Sequence, residues 1–250
     1  MTGSAPDFAD RLSARLDAAA SAGKRIAFWW RDDDAVAPSD ALDRLLALAH
    51  THDVPLALAV IPAEATRALA DRLTDDGRTS VLQHGWAHAN HAGADAKSAE
   101  LGSDRPIDTV LDELSRGHQR LGRLFGERFL PVLVPPWNRI APEVAARRAE
   151  AGLAGLSCFK SLSTEEHRLD AHLDPIAWRG GRGFVGWQEM AAALDAEIDR
   201  RDGQEMPIGL LTHHLVHDGE TWAFLEAFLA VAANHPGANW PPIPEAFGLD

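Results

Sequence analysis

Apolar positions along the chain follow two rhythms. Short continuous apolar runs occupy residues 25–31 (RIAFWWR), 55–61 (PLALAVI), 79–83, 131–134, 153–158 and 208–212. Runs of that length suit strands buried on both faces. Between them apolar residues recur every three or four positions, the spacing of one helix face. Residues 7–22 place Phe8, Leu12 and Leu16 on such a face. After Pro38-Ser39, where serine can cap a helix, Leu42, Leu45, Leu46 and Ala49 do the same. Further helices are predicted over 63–75, 106–125, 141–151 with a stop at Gly152, 186–201 and 220–233. Residues 85–105 read as a polar loop. The stretch 160–185 has no clear rhythm, and one strand is predicted in it, at 175–178.

Strand and helix alternate about seven times in this reading. Alternation of that kind argues for a parallel sheet covered by helices, closed as a barrel or open and doubly wound. In both, functional residues gather at the carboxyl ends of the strands, which makes the strand ends a search list.

The chain has 250 residues, enough for one large core, and residues 1–250 are predicted to form a single domain. The formal net charge of −13 disfavours nucleic acid and anionic membrane surfaces as partners. One cysteine, Cys158, excludes an internal disulfide and reads as a buried small residue. The N-terminus lacks the pattern of a secretory signal, and no apolar run reaches the roughly 18 residues that span a bilayer. A cytoplasmic location is the expectation. Trp86, Trp137, Trp178 and Trp187 could form a sugar platform, with packing as the plainer role for each.

The strand ends carry the chemistry. The first ends in Asp32-Asp33-Asp34, three carboxylates that repel one another unless a cation or hydrogen bonds offset them. A solvated acidic loop would explain the run equally well. The third ends at His84, with His88 four residues on; on a helical turn both rings would share a face and reach one ion. The fourth ends in Val134-Pro135-Pro136-Trp137. Its prolines remove two donors and aim the next amide, that of Trp137, as an oxyanion site requires. The late strand ends in Thr212-His213-His214, and a histidine at a strand end can act as general acid. Two imidazoles and a carboxylate suit a divalent metal that keeps positions open for water and substrate.

In their order from about Arg25 to Asp218, these motifs resemble the polysaccharide deacetylase family, carbohydrate esterase family four and its divergent relatives. The resemblance implies an α/β fold, an irregular seven-stranded (β/α) barrel, on which residues 1–23 would pack as a helix. It implies Asp33 as catalytic base and Asp34 as metal ligand, with Asp32 and Asp33 as the alternative frame. His84 and His88 match the metal histidines. Trp137 supplies the amide, and His213, or His214 in the neighbouring frame, the general acid. Pro136 of the third motif and Trp178 are the implied substrate-binding residues, with Trp178-Arg179-Gly180-Gly181 standing for the fourth motif; Trp86, of the candidate sugar platform, is expected to join them. The third motif lacks the arginine that normally steadies the base, for which Arg31 or Arg139 would have to substitute. The implied cofactor is a divalent ion, zinc by expectation. The implied activity is hydrolysis of acetyl or similar acyl groups from an N- or O-acylated carbohydrate or a small amide. Three rivals stand beside it: a non-catalytic carbohydrate-binding barrel, a metal-independent amidase on the same fold, and an iron oxygenase. The last usually uses an all-β scaffold and a His-x-Asp spacing that this site lacks.

Overall fold

A computed structural model describes residues 3–201 and 206–249. Helix α1 (Ala5–Ser21) starts where Ser4 and Asp7 close a reciprocal capping box. Strand β1 (Ile26–Ala35) follows, then α2 (Asp40–His52), whose first turn is capped by Ser39 Oγ accepting from the Leu42 amide. Next come β2 (Leu56–Val60), α3 (Arg67–Arg72) under a Thr66 cap, and β3 (Thr79–His84). Helix α4 (Ile107–Phe125) leads to β4 (Phe129–Val134), α5 (Pro142–Arg147) and β5 (Gly155–Leu156). Helix α6 (Trp187–Arg201), β6 (Ile208–Thr212), α7 (Gly219–Ala232), β7 (Ala238–Asn239) and α8 (Ile243–Phe247) complete the order.

The strands form one sheet in the order β5-β4-β3-β2-β1-β6, with β7 pairing to β1. The pairs β1–β7, β3–β4 and β4–β5 are all parallel, as the alternation predicted. On β3 and β4, Gln83 faces Leu133 and His84 faces Val134, so two candidate motifs end side by side.

Contacts group the chain into two interleaved units. One comprises residues 3–31, 39–56, 171–201 and 206–242, the other 32–38, 57–170 and 243–249. In the first, α1 packs on α6 and α7 through Phe8, which meets Phe224 edge-on at 5.2 Å; Phe28 is perpendicular to Phe228 at 5.4 Å. Leu12 and Leu16 are also buried, so the helix face read from the sequence is the packed one. In the second, Val110, Leu111 and Leu114 of α4 join Leu133, Val144, Leu153 and Leu156 in a cluster that fixes β4 and β5. Burying each such side chain contributes about 1.5–3 kcal/mol.

Several predicted boundaries change. β1 continues through the acidic run to Ala35, four residues beyond the expected end, so the carboxylates belong to the strand itself. α3 is shorter than predicted at both ends: Thr66 caps its start, and the helix stops at Arg72. No strand forms over 175–178; Ile176 makes a single antiparallel bridge to Phe184. β7 and α8 were not foreseen, being too short to carry a periodic signal. Among the described residues no helix is long and apolar enough to cross a membrane.

Candidate metal centre

Within the second unit the structure brings Asp34, His84 and His88 together; one ligand atom of each lies within 4.8 Å of the others. Asp34 Oδ1 is 3.2 Å from His84 Nε2 and 3.4 Å from His88 Nε2. Donor atoms around a zinc ion bound at roughly 2.0–2.1 Å stand about 3.3 Å apart in a tetrahedron. The spacing of the trio therefore fits such an ion.

The tautomer of His84 fits as well. Its Nδ1 lies 2.9 Å from the Val134 carbonyl oxygen, which can only accept, so Nδ1 carries the proton. In the neutral ring, Nε2 then presents a lone pair to a carboxylate. Two such acceptors repel unless a cation joins them. For His88, burial lowers the pKa from its ordinary value, the His84 ring lowers it further, and Asp34 opposes both. The neutral form that binds metal is thus favoured.

The two histidines do not sit on a helical turn, contrary to the sequence expectation. His84 is the last residue of β3, and an irregular loop carries the chain to His88. Gly85 (φ 57°) and His88 (φ 53°) both adopt left-handed backbone. Of the eight non-glycine residues with positive φ among those described, four are Asp34, His88, Trp137 and Asn138. That conformation costs about 1–2 kcal/mol for a residue with a Cβ, so the surroundings must impose it.

Pro136 and Trp137 lie at the same place. A Cβ on Gly85 would stand 2.6 Å from Pro136 Cγ, and the Trp137 ring is 4.2 Å from the His88 ring. Trp137 (φ 55°) turns the backbone just after the two prolines. Trp86 is half-buried, with the Arg116 guanidinium over its ring at 4.5 Å, so α4 covers one of its faces. Asp32 and Asp33 are buried in β1. Arg139, a candidate substitute for the missing arginine, donates to the Ser98 carbonyl at 2.7 Å, and Arg31 is fully buried in β1.

The remaining predicted residues form a cluster in the first unit. The rings of Trp178 and His213 meet edge-on at 4.6 Å. Trp178 is 43% exposed and its indole donates to Asp174 at 2.7 Å. The His213 amide donates to His217 Nε2 at 3.3 Å, and the His217 ring meets Trp222 edge-on. His214 is buried at the start of a 3-10 turn. Asp218 caps α7 through the Thr221 amide and hydroxyl, both at 2.7 Å, and also takes the Phe184 amide at 3.0 Å.

Sequence reasoning missed Glu100. It is 1% exposed and accepts from the amides of Trp86 and Ala87 in the loop between the two histidines. The available signal was a lone carboxylate flanked by Ala99 and Leu101 inside an otherwise polar loop.

No protein-family model matches the chain, and no curated protein matches it by sequence. Solved structures do. A protein from Mycobacterium smegmatis provisionally described as a polysaccharide deacetylase aligns over 90% of both chains, with TM-score 0.65 and 16% identity. The peptidoglycan N-acetylglucosamine deacetylase Bc1960 aligns over 91% of this chain and 90% of its own, with TM-score 0.58 and 15% identity. A family 4 acetyl xylan esterase from Clostridium thermocellum, in complex with cobalt, aligns over 89% and 91%, with TM-score 0.56 and 14% identity. The chain therefore has the polysaccharide deacetylase-like fold, the (β/α) barrel class expected from its motifs.

Proposed function

We propose that this chain is a metal-dependent hydrolase that removes acetyl or similar acyl groups from an N- or O-acylated carbohydrate or a small amide. The observation that carries the reading is the convergence of Asp34, His84 and His88, with the His84 tautomer set by the Val134 carbonyl. Solved structures of the same fold are named as deacetylases and as an acetyl xylan esterase, and one of them is in complex with cobalt.

Asp34, His84 and His88 hold a divalent ion in this proposal, with zinc as the expected metal. Such an ion would supply a Lewis acid for the substrate carbonyl and a more acidic water. Asp33 takes the proton from the attacking water. The Trp137 amide donates to the oxygen on which charge develops. His213, with His214 as the other frame, gives a proton to the departing amine or alcohol. Pro136, Trp86 and Trp178 contact the substrate; the exposed indole of Trp178 suits the apolar face of a sugar ring.

The Val134–Trp137 turn has no arginine. That departure favours a second reading, a barrel that binds carbohydrate without cleaving it; an amidase that needs no metal is the other alternative on this fold. Metal content of purified wild-type protein, before and after incubation with zinc or cobalt, separates the readings. Near-stoichiometric metal together with acetate release from acetylated oligosaccharides supports the hydrolase. Protein that takes up no metal rules it out.

A further inference from the structure

The two histidines of the trio are held by different means, and the difference singles out one residue. His84 ends a strand, so the register of β3 against β4 sets its position. His88 lies four residues farther on, in backbone that no repeating hydrogen bonds support. A ligand on irregular chain keeps its aim only if something else holds that chain.

We infer that Glu100 is a positioning residue that sets the aim of His88 through the backbone of residues 86–89; the inference rests on the metal reading above. Glu100 Oε2 accepts from the Trp86 amide at 3.0 Å. Its Oε1 accepts from the Ala87 amide at 2.7 Å and the Ala89 amide at 3.4 Å. These amides flank His88 on both sides. Both carboxylate oxygens are engaged by main chain, so Glu100 acts as a holder of the loop. Hydrogen bonds from backbone N–H to an ionised carboxylate are about twice as strong as neutral ones.

The neighbourhood is shaped around this contact. A Cβ at residue 85 would stand 2.0 Å from Glu100 Oε2, so only glycine admits the carboxylate, and the positive φ of Gly85 asks for glycine again. The carbonyl side of the turn is held from the opposite direction. Gln83, fully buried, donates to the Gly85 carbonyl at 3.0 Å and the Leu114 carbonyl at 2.9 Å. Gly117 gives Gln83 its room, since a Cβ there would be 2.4 Å from Gln83 Nε2. Glu100 is itself anchored: Arg105 donates to its carbonyl at 3.2 Å, and Asn90 Oδ1 accepts from the Ala99 amide at 3.0 Å.

The test is a cobalt(II) titration of metal-free wild type, Glu100→Gln, Glu100→Ala and Val144→Ala, with visible absorption and thermal unfolding of each metal-free protein. Val144 is a buried core residue of the same unit and serves as a control for lost stability alone. The expected result is cobalt affinity roughly 10–100-fold weaker in Glu100→Ala, intermediate in Glu100→Gln, with an altered cobalt spectrum in both. Val144→Ala should bind as wild type despite a lower Tm. Should Glu100→Ala fail to fold, the isosteric Glu100→Gln carries the comparison. Wild-type affinity and spectrum in the Glu100 variants, alongside a lowered Tm, would reduce Glu100 to structural support and leave the metal reading intact. Wild-type protein that binds no cobalt would overturn the metal reading, and this inference with it.

Discussion

The Asp34–His84–His88 trio and the His213–Trp178 cluster are held in opposite ways. In the trio, the hydrogen bonds around the two histidines run through main chain, to a carbonyl at His84 and from amides to the Glu100 carboxylate beside His88. A carbonyl accepts a hydrogen bond from His84 Nδ1, and left-handed backbone stands at Asp34, His88 and Trp137. In the other cluster, His213 is steadied by the edge of an exposed indole and by its own amide on His217. Its Nδ1 is buried without a hydrogen-bond partner among the described residues. A metal ligand needs one tautomer and one direction, whereas a proton donor must change protonation state within each cycle. The contrast matches the division of labour proposed above: main-chain contacts for holding an ion, side-chain contacts for moving a proton.

The largest expected effect tests the first half of this contrast. His84→Ala should abolish metal binding, measured as metal content after loading and desalting, and with it hydrolysis. Retained stoichiometric metal would show that the trio is not the binding site. Next come the proton-moving residues. Asp33→Asn and His213→Gln should each lower kcat by roughly 10²–10⁴-fold while metal content stays at the wild-type level. Metal lost from His213→Gln would break the separation between the two regions. A larger loss in His214→Gln than in His213→Gln would move the donor role to His214.

Trp178→Ala should act more mildly. The ring is partly exposed, so Tm should hardly move, while KM should rise about fivefold, the loss of an aromatic contact of about 1 kcal/mol. An unchanged KM would remove Trp178 from the substrate contacts. The smallest effect concerns Asp218. Burial pushes its carboxyl up, but the Thr221 amide and hydroxyl and the Phe184 amide outweigh that and hold it below the ordinary aspartate value. A depressed folded-state pKa means that its stabilisation is present above the unfolded value and is lost as pH falls through the folded one. Asp218→Ala should therefore cost about 1 kcal/mol at neutral pH, a Tm drop of about 2–4 °C, and the gap should close in strong acid. A gap that persists there would assign the loss to packing.

Elements with a strong pattern were legible in the sequence. β6 spans the predicted residues, and Phe8, Leu12 and Leu16 form the buried face of α1. The search at strand ends led to the trio because parallel folds expose those ends. What failed was local. The spacing of His84 and His88 suggested a helical turn, but periodicity cannot register the close approach of Glu100 and Pro136 to Gly85. Glu100 itself lies in irregular chain, where no rhythm separates a buried carboxylate from a solvated one. The strand expected at 175–178 does not form: the indole of Trp178 donates to Asp174 and stays partly exposed.

The Val134 carbonyl accepts from both the His84 ring and the Gly85 amide, at 2.9 and 3.1 Å. A carbonyl belongs to every amino acid, so no single replacement at position 134 deletes it. The proton placement on His84 is accordingly insulated from point mutation at its partner, while that of a ring oriented by a side chain is one codon from loss. An insertion or deletion that shifts β4 along β3 would disturb it. The geometry of the His84 ring can therefore persist through substitutions at position 134 that would abolish an orientation set by a side chain.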